Sequence, residues 1–375
     1  MKVIHVHAGK ANPATTMNGV NVVVDACART MHRRGMDVEV WGIARNPHTN
    51  RPRPEYPISL YQYFDTWPPR LERDLIHAIS RVDSPRTVFH FYSGFLPPFV
   101  SITRRLRASA YFCMPQGVYS EACLQRHSWR KFPYYHCVEK HFLRNSCGLL
   151  LAHENELAGR VRASLGNTSC HVVSNGVDSL SMPDTQRLKE RDEGRIVWGF
   201  CGRIDNAHKA VDRLIRSFLL FRDRGGADRH VLSIIGDGPD LPLIRKTFAS
   251  AISRGDVQLH DKLLGERKIE TMRRMDYFAH VSNWEGMPLA CLEAVGLGIP
   301  LLVTPGTNLA DDVNRFRAGV VAEADDMSIA NAMSMMSRLN RDSLVDGCRR
   351  LAREKYDWEK IVLQITTLYR NVISP

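Results

Sequence analysis

The sequence predicts an α/β protein of two domains, each a parallel sheet covered by helices, facing each other across a cleft. Three observations lead there. The chain has 375 residues, and a single hydrophobic core tends to stop growing by roughly 250–300 residues. Short apolar segments alternate with helical patterns from end to end, a βαβα rhythm that implies sheets buried on both faces. The rhythm breaks once, at a polar stretch from Ser179 to Arg195 rich in Asp, Glu, Arg and Lys, and then restarts.

Each element has its own signal. Val3–His7 reads as a strand, Val20–Arg33 as an amphipathic helix closed by Gly35, and Val38–Gly42 as the next strand. Thr87–Phe91, Ala110–Cys113, Gly148–Ala152 and His171–Val173 complete the strands of a first domain over residues 1–175. Asn175-Gly176-Val177-Asp178 is a turn signal that opens a linker over 176–195. The second domain, 196–355, begins with the strand Ile196–Phe200 and the helix Val211–Phe221. The strand Val231–Ile235 follows, ended by Gly236-Asp237-Gly238-Pro239, and then Val257–His260, Tyr277–Val281 and Pro300–Val303. The last segment, 356–375, contains apolar residues at helical spacing from Trp358 to Val372.

Composition excludes several classes. Hydrophobic residues make up 44% and charged residues 24%, ordinary values that argue against long disorder. Nine cysteines are scattered, with no CxxC pair, which fits a reducing, cytoplasmic compartment better than a disulfide framework. The N-terminus is a short strand running into Gly9, not a secretion signal, and no apolar run approaches the ~20 residues that span a bilayer.

The net charge of +11 is unevenly placed. Residues 1–175 hold 22 Lys and Arg against 12 Asp and Glu, while the remaining 200 hold 29 against 28. Much of the excess lies at Arg104, Arg105, Arg107, Arg126, Arg130, Lys131, Lys140 and Arg144. Such a cluster attracts an anionic partner, such as lipid headgroups, a lipid diphosphate or nucleic acid; the plainer reading is a solvated helical face. Expected placement is cytoplasmic, peripheral at the inner face of the plasma membrane.

Chemistry concentrates in the segment Ser282-Asn283-Trp284-Glu285-Gly286-Met287-Pro288-Leu289-Ala290-Cys291-Leu292-Glu293. A strand turns at Gly286 and enters a helix, with Pro288 expected at the first helical position, where a missing N–H costs nothing. Free N–H groups and the positive dipole end of such a helix bind phosphate. Glu293 lies about two turns in, among apolar neighbours, and a carboxylate there needs a partner. Gly202-Arg203 follows a strand directly, and Lys209 comes six residues after Arg203; a guanidinium and an ammonium at a strand mouth suit a diphosphate. The Gly9–Gly19 loop also feeds a helix start, yet no Walker sequence and no GxGxxG is present. His90, between Phe89 and Phe91, reads first as a core histidine and second as an acceptor or sugar contact. His5, His7 and His90 do not meet metal-ligand spacing rules, so no metal is expected.

Taken together these residues resemble the retaining GT-B glycosyltransferases, the group that includes bacterial mannosyl- and rhamnosyl-type transferases of lipopolysaccharide and exopolysaccharide assembly. The resemblance runs over essentially the whole chain: the N-terminal glycine loop, Val173 to Asp178, Gly202-Arg203 with Lys209, Gly236-Asp237-Gly238-Pro239, and Glu285 to Glu293 followed by Gly298-Ile299-Pro300. It implies a GT-B fold of two Rossmann-like domains, the first binding acceptor and the second a GDP- or UDP-linked sugar, with the final helix returning to the first. It implies that Arg203 and Lys209 hold the donor diphosphate, with help from the backbone at Gly19, Gly202, Gly286, Met287, Pro288 and Leu289. Glu285 would contact the sugar, Glu293 the ribose, and Asp261, Lys262 and Leu263 the base. Two positions depart from the family pattern. Gln116, in Pro115-Gln116-Gly117, stands where a histidine facing the sugar is usual, and Ala210 follows Lys209 where glycine is usual.

The expectation is therefore transfer of a hexosyl group from a nucleoside-diphosphate sugar to a hydroxyl of a glycan or lipid-linked glycan, with no cofactor, no metal and no nucleic-acid partner. Two other readings stand beside it. One is a nucleotide-sugar epimerase or phosphorylase on the same architecture. The other is a basic protein that binds membranes or nucleic acid, which leaves Glu285, Glu293 and Lys209 without a role.

Overall fold

The computed structural model describes residues 1–8, 19–47, 54–64, 66, 69–178, 194–224 and 228–373. The Gly9–Gly19 loop, apart from Gly19, and most of the expected linker (179–193) lie outside them. Contacts divide the chain into two compact units: Met1–Gly176 together with Trp358–Pro375, and Val177–Asp357.

The first unit is built on eight strands: β1 (Lys2–Ala8), β2 (Asp37–Ala44), β3 (Ile58–Phe64), β4 (Arg70–Leu71), β5 (Thr87–Tyr92), β6 (Ala110–Met114), β7 (Gly148–Leu151) and β8 (Cys170–Val172). Their order in the sheet is β4-β3-β2-β1-β5-β6-β7-β8, parallel except for the short β4. All six residues of β5 are buried, as expected for a central parallel strand covered on both faces. The helix Gly19–Arg33 buries Val23, Val24, Cys27, Thr30 and Met31 at helical spacing. The helix Trp358–Ile373 belongs to this unit and buries Trp358, Ile361, Val362, Ile365 and Tyr369.

The second unit carries β9 (Ile196–Cys201), β10 (His230–Ile235), β11 (Val257–His260), β12 (Tyr277–His280), β13 (Leu301–Val303) and β14 (Gly319–Val321). They pair in parallel in the order β11-β10-β9-β12-β13-β14. Counted within the unit this is 3-2-1-4-5-6, the doubly wound order, whose direction reverses between β9 and β12. One core cluster centres on Trp198, Phe200, Phe218 and Ile234, a second on Met275, Phe278, Leu292 and Val303. Gly199 in β9 makes room for Met275: an added Cβ would fall 1.9 Å from its sulfur, and that side chain would have to shift. Among the described residues no helix is long and apolar enough to cross a membrane.

Candidate functional site

In a doubly wound sheet the loops at the carboxyl ends of the strands diverge at the reversal point, and ligands bind in the gap. Here the loops following β9 and β12 flank that point. After β9 come Gly202 and Arg203, then a one-turn helix, Asn206–Lys209, begun by the Asp205 side chain, which accepts the His208 N–H at 3.3 Å. Ala210 stops this helix in the left-handed conformation (φ 48°, ψ 43°) and starts Val211–Asp223. Glycine would adopt that backbone freely, so the family's usual residue is explained and alanine here is strained.

The two loops are laced together. The Asn283 N–H donates to the His208 carbonyl at 2.9 Å, and its side-chain amide to the Ala207 carbonyl at 3.0 Å. From the β13 side, Thr304 Oγ1 donates to the Ser282 carbonyl at 3.0 Å. Asn308 Nδ2 donates to the carbonyls of Glu285, at 2.7 Å, and Gly286, at 3.2 Å.

This lacing brings Lys209 and Glu285 into contact. Glu285 Oε1 receives the Lys209 ammonium, His280 Nε2 at 2.8 Å and the Ser282 hydroxyl at 2.6 Å. His208 Nε2 lies 3.4 Å from Oε2, its ring stacked 3.8 Å from that of Trp284. Burial alone would raise the Glu285 carboxyl; the contacts from His208 and His280 and the charge of Lys209 overcome it and hold the group far below the usual carboxylate range. Burial pushes the fully enclosed His280 down despite that carboxylate, so its ring is neutral at pH 7. A carboxylate only accepts, so Nε2 carries the ring proton and Nδ1 is left without a partner.

The expected sites are thus placed unevenly. Lys209 and Glu285 meet, but the Glu285 side chain is 6% exposed and filled by these donors. These contacts fix the Lys209 ammonium against the carboxylate. Arg203 leaves the same strand end and is 63% exposed, with Asp205 as its nearest carboxylate at 3.9 Å. Pro288 precedes the helix Leu289–Gly296 rather than opening it, one residue off the expected position. The N–H groups of Leu289 and Ala290 have no intrahelical acceptor, as at any helix start. Glu293 is paired with Lys268 at 2.5 Å and is 22% exposed. Met287 packs against the core, and Gly286 forms the turn before it. Asp261, Lys262 and Leu263 follow the edge strand β11, with β10 between them and β9; Asp261 lies 3.6 Å from Arg245.

In the first unit, Gly19 is the exposed first residue of its helix. His90 is fully buried: its Nδ1 meets the Tyr369 hydroxyl at 2.5 Å, so the acceptor or sugar contact gives way to the core reading. His5 lies beside it in register on β1 and meets the Tyr92 hydroxyl at 2.8 Å; burial lowers it to about 3, and His7 to about 4. Gln116, left-handed at φ 57°, exchanges two amide hydrogen bonds with Asn175, at 2.9 and 3.0 Å. Much of its hydrogen-bonding capacity is therefore spent within the protein rather than open to a sugar.

Two buried carboxylates of the first unit carry no sequence signal. Glu156 accepts the backbone N–H groups of Gly117 and Ala152, each at 2.5 Å, and burial raises it to about 7. Glu139 ends a π-helical turn, Tyr135–Glu139, and accepts the Phe95 N–H at 2.6 Å and the Tyr119 hydroxyl at 2.5 Å; burial raises it as well. His280, Ser282, His208, Asn308 and Lys268 also escaped the sequence reading. Only Ser282 had a signal available, the Ser-x-x-Glu spacing to Glu285.

The chain is similar in fold, and over part of its second unit in sequence, to known proteins. Residues 195–338 match the family model described as glycosyl transferases group 1. No curated protein matches the sequence. Among solved structures, sucrose-phosphate synthase from Thermosynechococcus elongatus superposes with a TM-score of 0.76 at 16% identity, covering 99% of both chains. HepE of Anabaena, in complex with UDP and glucose, gives a TM-score of 0.72 at 12% identity, covering 98% of this chain and 99% of that one. The lipopolysaccharide outer core galactosyltransferase WaaB gives 0.65 at 15%, covering 100% and 99%. The chain therefore has the GT-B fold, and within its second unit residues 195–338 are similar to the group 1 glycosyl transferases.

Proposed function

We propose that this protein is a retaining glycosyltransferase, moving a hexosyl group from a nucleoside-diphosphate sugar to a hydroxyl of a glycan or lipid-linked glycan in cell-surface polysaccharide assembly. The observation that carries the reading is the Lys209–Glu285 pair at the reversal point of the second sheet, inside the segment that matches the glycosyl transferase model. A fixed ammonium there, the exposed Arg203 guanidinium and the start of the helix at Leu289 supply positive charge where a diphosphate leaves. Preorganised charge of this kind stabilises the transition state without reorganising. On this reading no metal is needed. The acceptor hydroxyl approaches the face that the diphosphate leaves, and a diphosphate oxygen takes its proton. The uridine diphosphate held by HepE makes a UDP-sugar the first donor to try, with GDP-sugars second. A lipid-linked acceptor places the protein at the inner membrane face.

The test has two parts. A thermal-shift panel of UDP, GDP, ADP and their sugars identifies the donor, since a ligand of the folded state raises its stability. With that donor, Lys209→Ala lowers transfer by about a hundredfold or more, as loss of other charge-stabilising groups does. Near-normal transfer by this variant rules the assignment out.

A further inference from the structure

The segment 122–144 of the first unit takes no part in the site described above. It carries Arg126, Arg130, Lys131, Lys140 and Arg144 and a single carboxylate, Glu139, which is buried and engaged. The nearest exposed carboxylate along the chain is Glu121, which is paired with Arg160 at 3.2 Å. Within the segment, the helix Ser128–Tyr134 buries none of its residues. Trp129 is 73% exposed and Phe132 38%. Large aromatic side chains exposed side by side outside a core mark interaction surfaces. His127 precedes the helix in the left-handed conformation (φ 56°), a strained backbone for a residue that is not glycine.

We infer that this helix docks onto an anionic lipid surface. The Arg130 guanidinium lies 5.1 Å from the Trp129 ring centre, and that of Arg160 lies 4.4 Å from the Phe132 ring centre. Each ring thus carries a cation on one face. Cations beside aromatic rings match the bilayer boundary, where phosphates meet acyl chains and Trp is favoured. The same covering argues against a nucleic-acid platform, which needs open aromatic faces for base stacking. Arg104 extends the cationic surface, lying close enough to Tyr134 to act on its hydroxyl. This deepens the proposed lipid-linked acceptor by naming the surface that would bring the protein to it, though docking stands on its own observations.

Sedimentation of the full chain with phosphatidylglycerol–phosphatidylcholine vesicles, against pure phosphatidylcholine, tests it. Binding should require the anionic lipid. Arg126→Gln with Arg130→Gln should weaken it about thirtyfold. Trp129→Ala with Phe132→Ala should weaken it at least tenfold. A blue shift of tryptophan emission on binding should disappear in Trp129→Phe. Because the helix buries nothing, these variants should melt with the wild type, and the donor should still shift their melting. Equal binding to both vesicle types overturns the inference, as does full binding by the Trp129/Phe132 variant. Failure to bind vesicles while single-stranded RNA is bound reassigns the surface to nucleic acid. The donor thermal shift reads the glycosyltransferase proposal separately, so the two can fail independently.

Discussion

Glu285 in the second unit and Glu156 in the first are both buried carboxylates, and burial acts on both in the same direction. They end on opposite sides of the ordinary carboxylate range. Glu285 is met by an ammonium, an imidazole and a hydroxyl, and is held far down. Glu156 is met by two backbone N–H groups alone and rises to about 7. At Glu156 two backbone N–H bonds lower the group but do not offset desolvation, whereas at Glu285 the contacts from His208 and His280 and the Lys209 charge do. Glu285 holds a charge that chemistry can use, while Glu156 holds the Gly117 end of a loop that turns through two left-handed residues, Gln116 and Gly117.

The largest test of that contrast removes the carboxylate from the charged pair. Glu285→Gln leaves the Lys209 ammonium, 14% exposed, without its counter-ion, and should cost about 3 kcal/mol in denaturant unfolding. A change under 1 kcal/mol would mean that Lys209 finds water or Asp205 instead.

Slightly smaller is the pH signature. For Glu156 the folded value lies above the unfolded one, so the folded state holds the extra proton and the group's contribution falls as pH rises from about 4.5 to about 7. The stability of the wild type relative to Glu156→Gln should therefore fall by about 3 kcal/mol as pH rises across that window. For Glu285 the folded value is depressed, so its contribution is fully present above the unfolded value and is lost as pH falls below it. The difference between wild type and Glu285→Gln should stay flat over the same window. Differences are required because His5 and His7, kept neutral by burial, add stability as pH rises toward 6.5 in every variant. Parallel curves for the two glutamate variants would erase the distinction.

The smallest effect sharpens how Lys209 is presented. Ala210→Gly relieves a left-handed alanine but frees the unfolded chain, a net gain of roughly 0.5 kcal/mol, read as a small rise in Tm. A fall in Tm would show that the buried Ala210 methyl matters more than its backbone strain.

The contrast also marks what the sequence could reveal. Strands such as Thr87–Tyr92 and His230–Ile235 are mostly apolar and buried throughout, legible because both faces are covered. Ile58–Phe64 was passed over: it is mostly half-buried near a sheet edge, and its pattern is correspondingly mixed. Gly319–Val321 is too short to show a period. Lys209 and Glu285 were legible because turn glycines and a proline surround them in tight spacing. Their meeting was not, since 76 residues separate them. His280 and Glu156 owe their chemistry wholly to what surrounds them, and neither has a spacing that announces it.

The helix Trp358–Ile373 has a consequence for how the molecule is made. It completes the first unit: Trp358 packs against Gly176, where an added Cβ would fall 2.6 Å from the indole, and Tyr369 reaches His90. In the linear chain the second unit is thus an insertion within the first. A ribosome adding roughly 5–20 residues each second releases every residue of the second unit before the last piece of the first. The N-terminal sheet must wait, with the place of Tyr369 beside His90 unfilled, until the whole second unit and the helix after it have been made.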